Sequence, residues 1–400
     1  MGSRSIVQLC SSIYLALVSF TVAIIVTNNL TYIDRQNYGI FMVSLGQLFV
    51  FIQFGTPGAF NSVGLAIFKS LTLYDIWRFF LKKLLGLSLA TSFVAFFFNL
   101  PPLASFVAFL GYSALIPLQW LVNGFQKHVS NLEYSFWRVL STSIQLVIVL
   151  LYYSTERSFT LFFFVEFWCI SNVLSLALLI VRFANIKFRL LEVQAEYSLI
   201  DISKAGRTGL VAHIGLNDLI KLENFLIPFF LPVIYSAHYF AIGGLANWPR
   251  LIIDSLALSY FHDYKSQSIA AGRKSALRRL CIVLVSTLSI LAIMKPIGDE
   301  VLESILGPQY ASVFNLFYAM SAMTLLSSGR RMYLDSFRAH GDVQSIIASK
   351  LETRSWLISL ISLPTVFYSD SIIFWAWSSA FTNLVALIYL IRKGNRCQMW

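Results

Sequence analysis

The stretch "HYFAIGGLANWPRLIIDSL", His238 to Leu256, decides how this chain folds, because it has a counterpart near the other end of the sequence. "NYGIFMVSLGQLFVFIQFG", Asn37 to Gly55, also sets a tyrosine at the mouth of an apolar run and follows it with small residues. Each copy then places a polar residue fifteen positions on, Gln53 after Tyr38 and Asp254 after Tyr239. The two tyrosines stand 201 positions apart. The same offset applied to the first apolar run, 6–26, predicts a run at 207–227, where hydropathy independently draws one. Copies with an even number of crossings each keep the same orientation. The reading is therefore two lobes related by an axis along the membrane normal.

Composition sets the class. Of the 400 residues 57% are hydrophobic, 16% aromatic and only 12% charged, with a mean hydropathy of +0.71. These values lie outside the soluble globular range and indicate an all-α integral membrane protein. At about 20 apolar residues per crossing, the windows give twelve predicted spans: 6–26, 39–60, 84–101, 103–124, 138–154, 160–181, 207–227, 239–261, 279–297, 311–329, 355–368 and 371–391. Residues 1–181 form a six-helix lobe, 182–206 a cytoplasmic linker, 207–391 a second six-helix lobe and 392–400 a tail. The outer connections are short loops with no room for an extramembrane domain. The first run is long and lacks a small-residue cleavage site, so it reads as a retained helix.

The net charge of +11 belongs to topology. With the N-terminus inside, 25 of the 30 basic residues fall in inner segments, among them Lys83, Arg273, Arg330 and Arg338. Arg35, Arg157 and Lys295 lie outside, and Lys221 and Arg250 fall within spans. That asymmetry places both termini in the cytoplasm and removes nucleic acid as a partner. Cys10, Cys169, Cys281 and Cys397 have no close spacing, so neither a disulfide framework nor a metal site is indicated.

Several stretches together resemble the Wzx-type polysaccharide flippases of the multidrug/oligosaccharidyl-lipid/polysaccharide exporter superfamily. They are "YIDRQNYGIFMVSLGQLFVFIQFGTPGAF" after the first span, "LENFLIPFFLPVIYSAHYFAIGGLANWPRLI" in the second lobe, and "ILGPQYASVFNLFYAMSAM" with "LDSFRAHGDVQSIIAS" around the tenth span. The resemblance covers nearly the whole chain. It implies a transporter that carries polyprenyl-diphosphate-linked oligosaccharide across a bacterial inner membrane by alternating access, for O-antigen or similar surface glycan. It also implies contact with membrane lipids, a polysaccharide polymerase and a chain-length regulator, and no cofactor. A small-molecule or multidrug exporter of the same superfamily is the alternative. Family members often carry Asp where this chain has Glu223.

Charges inside spans are the candidate functional groups, since an ionised side chain facing lipid costs several kcal/mol. On a continuous helix, with His213 at zero, Asn217 falls at about 40°, Lys221 at about 80° and Asn224 at about 20°. Asp218 stands near 140° and Glu223 on the opposite side, near −80°. His213, Asn217, Lys221 and Asn224 thus make a polar stripe, which reads either as a cavity wall or as part of an Asp218–Lys221 pair holding helices together. In the eighth span Asn247, Arg250 and Asp254 share one face, and Pro249 frees a carbonyl and bends the helix. Arg250 lies about 16 Å below Tyr239, near midplane. It either pairs with Asp254 or joins Lys221 in a cationic patch for a diphosphate, which guanidinium groups bind through paired donors. Arg35, beside Asp34 at the outer mouth, reads first as an exposed or interfacial charge and otherwise as a further candidate ligand. Asp218, Asp254, Glu223, His213 and Glu166 are candidates for gating or proton uptake. Glu166 reads either as a cavity residue or, with Asn172, as an interhelical hydrogen bond. Trp375, Trp377 and Trp400 read as interface anchors or as sugar platforms.

Enzyme classes find little support. The chain has no GxxxxGK[ST] loop, no paired metal ligands and no serine nucleophile elbow. A membrane glycan polymerase would carry a large outer loop with clustered charge, and the outer connections are too short for one.

Overall fold

The structure is a computed structural model. It describes residues 3–53, 56–57, 60, 73–125, 129–155, 159–190, 221–250, 253, 263–264, 266–310, 313–340, 342–368 and 371–396. Among these residues the regular structure is helical throughout. Six helices are long and apolar enough to cross a membrane: Tyr74–Phe97, Pro102–Phe125, Leu132–Tyr153, Leu161–Ala184, Ile269–Leu306 and Ile372–Asn395. The chain divides into two compact units. One comprises Gly2–Val22 and Asn29–Ile214, the other Gly215–Trp400 together with Ala23–Asn28.

The first unit begins with α1, Ser3–Asn29. Helix α2 runs from Tyr32–Gly39 through a π-helical stretch, Ile40–Leu45, into Gly46–Gln53. Its start is set by Thr31, whose side chain accepts the Asp34 amide at 3.2 Å. The rest are α3, Leu73–Phe97; α4, Pro102–Phe125; α5, Asn131–Tyr153; and α6, Leu161–Leu190. A π-helical turn displaces carbonyls from the regular ladder. Here the Phe41 carbonyl accepts the Tyr112 hydroxyl of α4 at 2.9 Å. Gly46 permits that approach, since a Cβ there would stand 3.0 Å from the same oxygen. At the other end of α2, Lys83 donates to the Ile52 and Gln53 carbonyls at 2.6 and 3.2 Å. The Gln53 side chain accepts the Trp120 indole N–H at 3.0 Å.

The second unit contains α7, Glu223–Phe230; α8, Val233–Leu245; α9, Ile269–Met294; α10, Gly298–Leu306; and α11, Phe314–Arg338. After these come α12, Asp342–Ser359, a short α13, Thr365–Tyr368, and α14, Ile372–Arg396. Its core is aromatic: Trp375, Tyr310 and Phe314 are buried, and Tyr239 stacks edge-on against Trp375 at 5.6 Å. The Asn28 side chain of α1 donates to the Ile305 carbonyl at 2.9 Å, within this unit.

Three expectations are corrected here. Predicted span ends fall short of the helices: α3 starts at Leu73 rather than 84, α9 at Ile269 rather than 279, and α11 runs to Arg338 rather than 329. Charge marks where hydrocarbon ends, whereas a helix stops where its hydrogen bonds stop. Secondly, Arg273, Arg330 and Arg338, assigned to inner connections, are buried. Arg338 is held by Asp335 and Glu352 at 2.9 and 2.7 Å. Thirdly, the connection after the ninth span is folded. Leu302 and Leu306 of α10 are buried while Asp299, Glu300 and Glu303 are exposed. This helix ends at Gly307, whose φ of 93° suits glycine.

A candidate anion and polyol cleft in the second unit

A helix that starts late and a helix that breaks build the site. Lys221 and Leu222 precede α7 without being part of it. The Asn224 amide bonds the Lys221 carbonyl at 3.1 Å, as at a helix start. Downstream, α8 ends at Leu245 with a turn at Ala246–Asn247, and helical structure resumes at Trp248. Pro249 has no N–H to offer the Leu245 carbonyl, and the Arg250 amide bonds the Asn247 carbonyl at 3.0 Å instead. The bend expected at Pro249 is therefore a break just before it.

Lys221, Glu223 and Arg250 line one cleft of about 570 Å3, counting its open mouth. The rest of its lining comes from residues of α11, α12 and α14, among them the polar Ser327, Ser359, Ser379 and Asn383 and the indoles of Trp356 and Trp375. Behind this wall the buried Arg330 guanidinium donates to the Ser355 carbonyl at 3.2 Å, Ser359 Oγ at 2.6 Å and Asn383 Oδ1 at 2.6 Å. The Asn383 amide in turn donates to the Ser379 carbonyl at 2.7 Å. One guanidinium thus ties α11, α12 and α14 together and orients the cleft floor.

The structure disposes of the candidate residues unevenly. Lys221 and Arg250 face the same cleft. The helical wheel, which set Glu223 opposite Lys221, is corrected: Lys221 lies before the helix, so helical phase does not relate the two, and both line the cleft. Asn224 is buried and accepts the Tyr239 hydroxyl at 2.7 Å, which fastens α7 to α8. Asn247 sits in the turn and is not among the cleft-lining residues, so a shared face with Arg250 is lost. Asn217, Asp218, His213 and Asp254 lie outside the described residues.

The reading of Arg35 as an exposed or interfacial charge is corrected: it is 2% exposed in α2 and donates to the Leu30 carbonyl at 2.9 Å. Glu166 is half-buried on α6, and Asn172 accepts Ser141 Oγ of α5 at 2.6 Å. Trp375 is 1% exposed and lines the cleft, whereas Trp377 is exposed beside Tyr318 and Trp400 lies outside the described residues. Sequence reasoning overlooked the α12 and α14 wall. The signal was present: Ser355, Ser359 and Ser362 recur at i, i+4, i+7, and Ser379 and Asn383 at i, i+4.

By sequence the chain matches no family model and none of the curated proteins. By structure it is similar to an inward-facing multidrug resistance MATE family transporter of the MOP superfamily. That match has a TM-score of 0.60 and 13% identity over 98% of each chain. A MATE structure in the bent conformation matches with a TM-score of 0.58 and 11% identity, covering 99% of this chain and 98% of that one. The lipid II flippase MurJ, in an inward closed conformation, matches with a TM-score of 0.56 and 11% identity, covering 96% of this chain and 86% of that one. At these identities the likeness establishes the shared fold.

Proposed function

We propose that this protein is a transporter that moves polyprenyl-diphosphate-linked oligosaccharide from the cytoplasmic to the outer leaflet of a bacterial inner membrane. The proposal includes twelve helices in two lobes with both termini cytoplasmic, working by alternating access. The similar structures include both drug exporters and a lipid-linked flippase, so the fold alone does not separate those roles. What favours the flippase reading is the charge of the cleft: among the described residues that line it, two are cations, Lys221 and Arg250, and one is a carboxylate, Glu223. Such a cleft repels cationic compounds and attracts a diphosphate. At an effective dielectric constant near 20, a unit charge pair at 4 Å is worth about 4 kcal/mol before desolvation. The paired donors of a guanidinium match phosphate oxygens.

The test is genetic. Arg250→Ala is expected to abolish surface glycan and to build up lipid-linked oligosaccharide inside, with the protein inserted at normal abundance. Lys221→Arg is expected to retain partial display and Lys221→Gln none. Unimpaired glycan display by Arg250→Ala would sink the diphosphate reading.

A further inference from the structure

The cleft holds more chemistry than an anion uses. A phosphate only accepts hydrogen bonds, and Lys221 and Arg250 supply donors for it. The serines that line the rest of the cleft have the opposite character, because their protons are already engaged. Ser327 donates to the Thr324 carbonyl at 3.0 Å, Ser362 to that of Ser359 at 3.0 Å, and Ser379 to Met323 Sδ at 3.1 Å. A hydroxyl whose hydrogen is engaged offers lone pairs, so this wall recognises donors. A bare diphosphate has none to give it.

Two indoles complete the wall. The Nε1 of Trp375 is buried without a hydrogen-bond partner among the described residues, although a buried indole N–H ordinarily finds one. Trp356 lines the same cleft, half-buried, with no aromatic, cation–π or hydrogen-bond partner among the described residues. The complement to this lining has acceptors for the cations. It also has hydroxyl or amide donors, an acceptor for an indole N–H, and an apolar face to lie on a ring. A sugar joined to a phosphate meets all four requirements.

We propose that this wall is a glycan subsite that recognises the sugar bonded to the phosphate. Trp356 is the platform for the sugar face, Trp375 Nε1 donates to a sugar oxygen, and the hydroxyl oxygens of Ser327 and Ser362 accept from its O–H or N–H groups. The subsite rests on reading the Lys221 and Arg250 end as an anion site, and the experiment separates the two.

The full-length protein in nanodiscs is titrated calorimetrically with farnesyl diphosphate, bare or carrying one N-acetylglucosamine or one glucose, and with N-acetylglucosamine 1-diphosphate lacking a prenyl tail. The wild type is expected to bind at least one sugar-bearing prenyl probe about 10-fold more tightly than the bare diphosphate, the yield of two net hydrogen bonds. Trp356→Leu and Trp375→Phe should bring those probes to parity and leave the bare diphosphate unchanged, while Trp356→Phe keeps part of the preference. Arg250→Gln should weaken every probe alike. Tighter binding of the tailed than the tail-free sugar diphosphate assigns a lipid-linked source, and equal binding a soluble one. Equal wild-type affinity for bare and sugar-bearing probes overturns the glycan subsite and leaves the anion reading standing. Loss of bare diphosphate binding in Trp356→Leu also overturns it, because the wall would then not be separate from the anion end. No binding of any probe overturns the anion reading together with it.

Discussion

Arg330 shows how one side chain organises a polar interior. A guanidinium presents several donors in a fixed plane, and this one distributes them over a carbonyl of Ser355, a hydroxyl of Ser359 and the amide of Asn383. Removing it leaves those acceptors buried and short of a donor, at a cost of roughly 1–3 kcal/mol for each that finds no substitute. Arg330→Met is therefore expected to lower the thermal unfolding midpoint of the purified protein clearly. Arg330→Lys should lower it nearly as much, since an ammonium keeps the charge and loses the fork. A wild-type midpoint for the lysine variant would show that charge alone, rather than planar geometry, holds the three helices. In the sequence Arg330 was indistinguishable from a loop arginine, because it follows an apolar window and precedes Arg331.

Helices in this protein end and widen where particular partners take over their hydrogen bonds. In α2 the π-helical stretch hands the Phe41 carbonyl to Tyr112, so Tyr112→Phe deletes the donor and leaves a buried acceptor. A loss of about 1–3 kcal/mol in unfolding free energy is expected, and no loss would mean the carbonyl has another partner. In the second unit α10 meets α11 where Gly298 faces the Phe314 ring. A Cβ on Gly298 would fall 2.2 Å from the Phe314 ring carbons. Gly298→Ala forces that ring to move and is expected to cost about 1–3 kcal/mol by overpacking. Unfolding of the two variants in detergent, followed by circular dichroism, checks both. Pro249 was legible as a helix interrupter from the sequence, and the break before it follows from the missing N–H. The helix start at Glu223 was not legible, since nothing in "LIKLENFL" disfavours a helix.

For the whole molecule, the distribution of basic residues carries a topological prediction. A green fluorescent protein fused to the C-terminus should be fluorescent, and alkaline phosphatase fused at the same place inactive. The reverse pattern would reverse the orientation and require a new reading of the inner and outer segments. Function can be read at the same scale. Cells lacking the gene should accumulate lipid-linked oligosaccharide and show unchanged uptake of cationic dyes. Raised dye retention with normal glycan display would favour an exporter role instead. The fold shared with MATE and MurJ structures is compatible with both outcomes, which is why the charge of the cleft bears the weight.

Membrane character, helical class and the candidacy of Lys221 and Arg250 could all be read from the amino-acid order. Hydropathy and charge are local properties that add along a window, and a charge inside an apolar run is conspicuous wherever it folds. The tertiary structure alone decided that Glu223 shares the cleft with Lys221, that Arg35 and Arg330 are buried, and that Trp356 and Trp375 line the same cleft as the cations. Each of these depends on where a helix starts or on a partner from another helix. Serines at helical spacing announce a polar face, but only packing determines what that face meets.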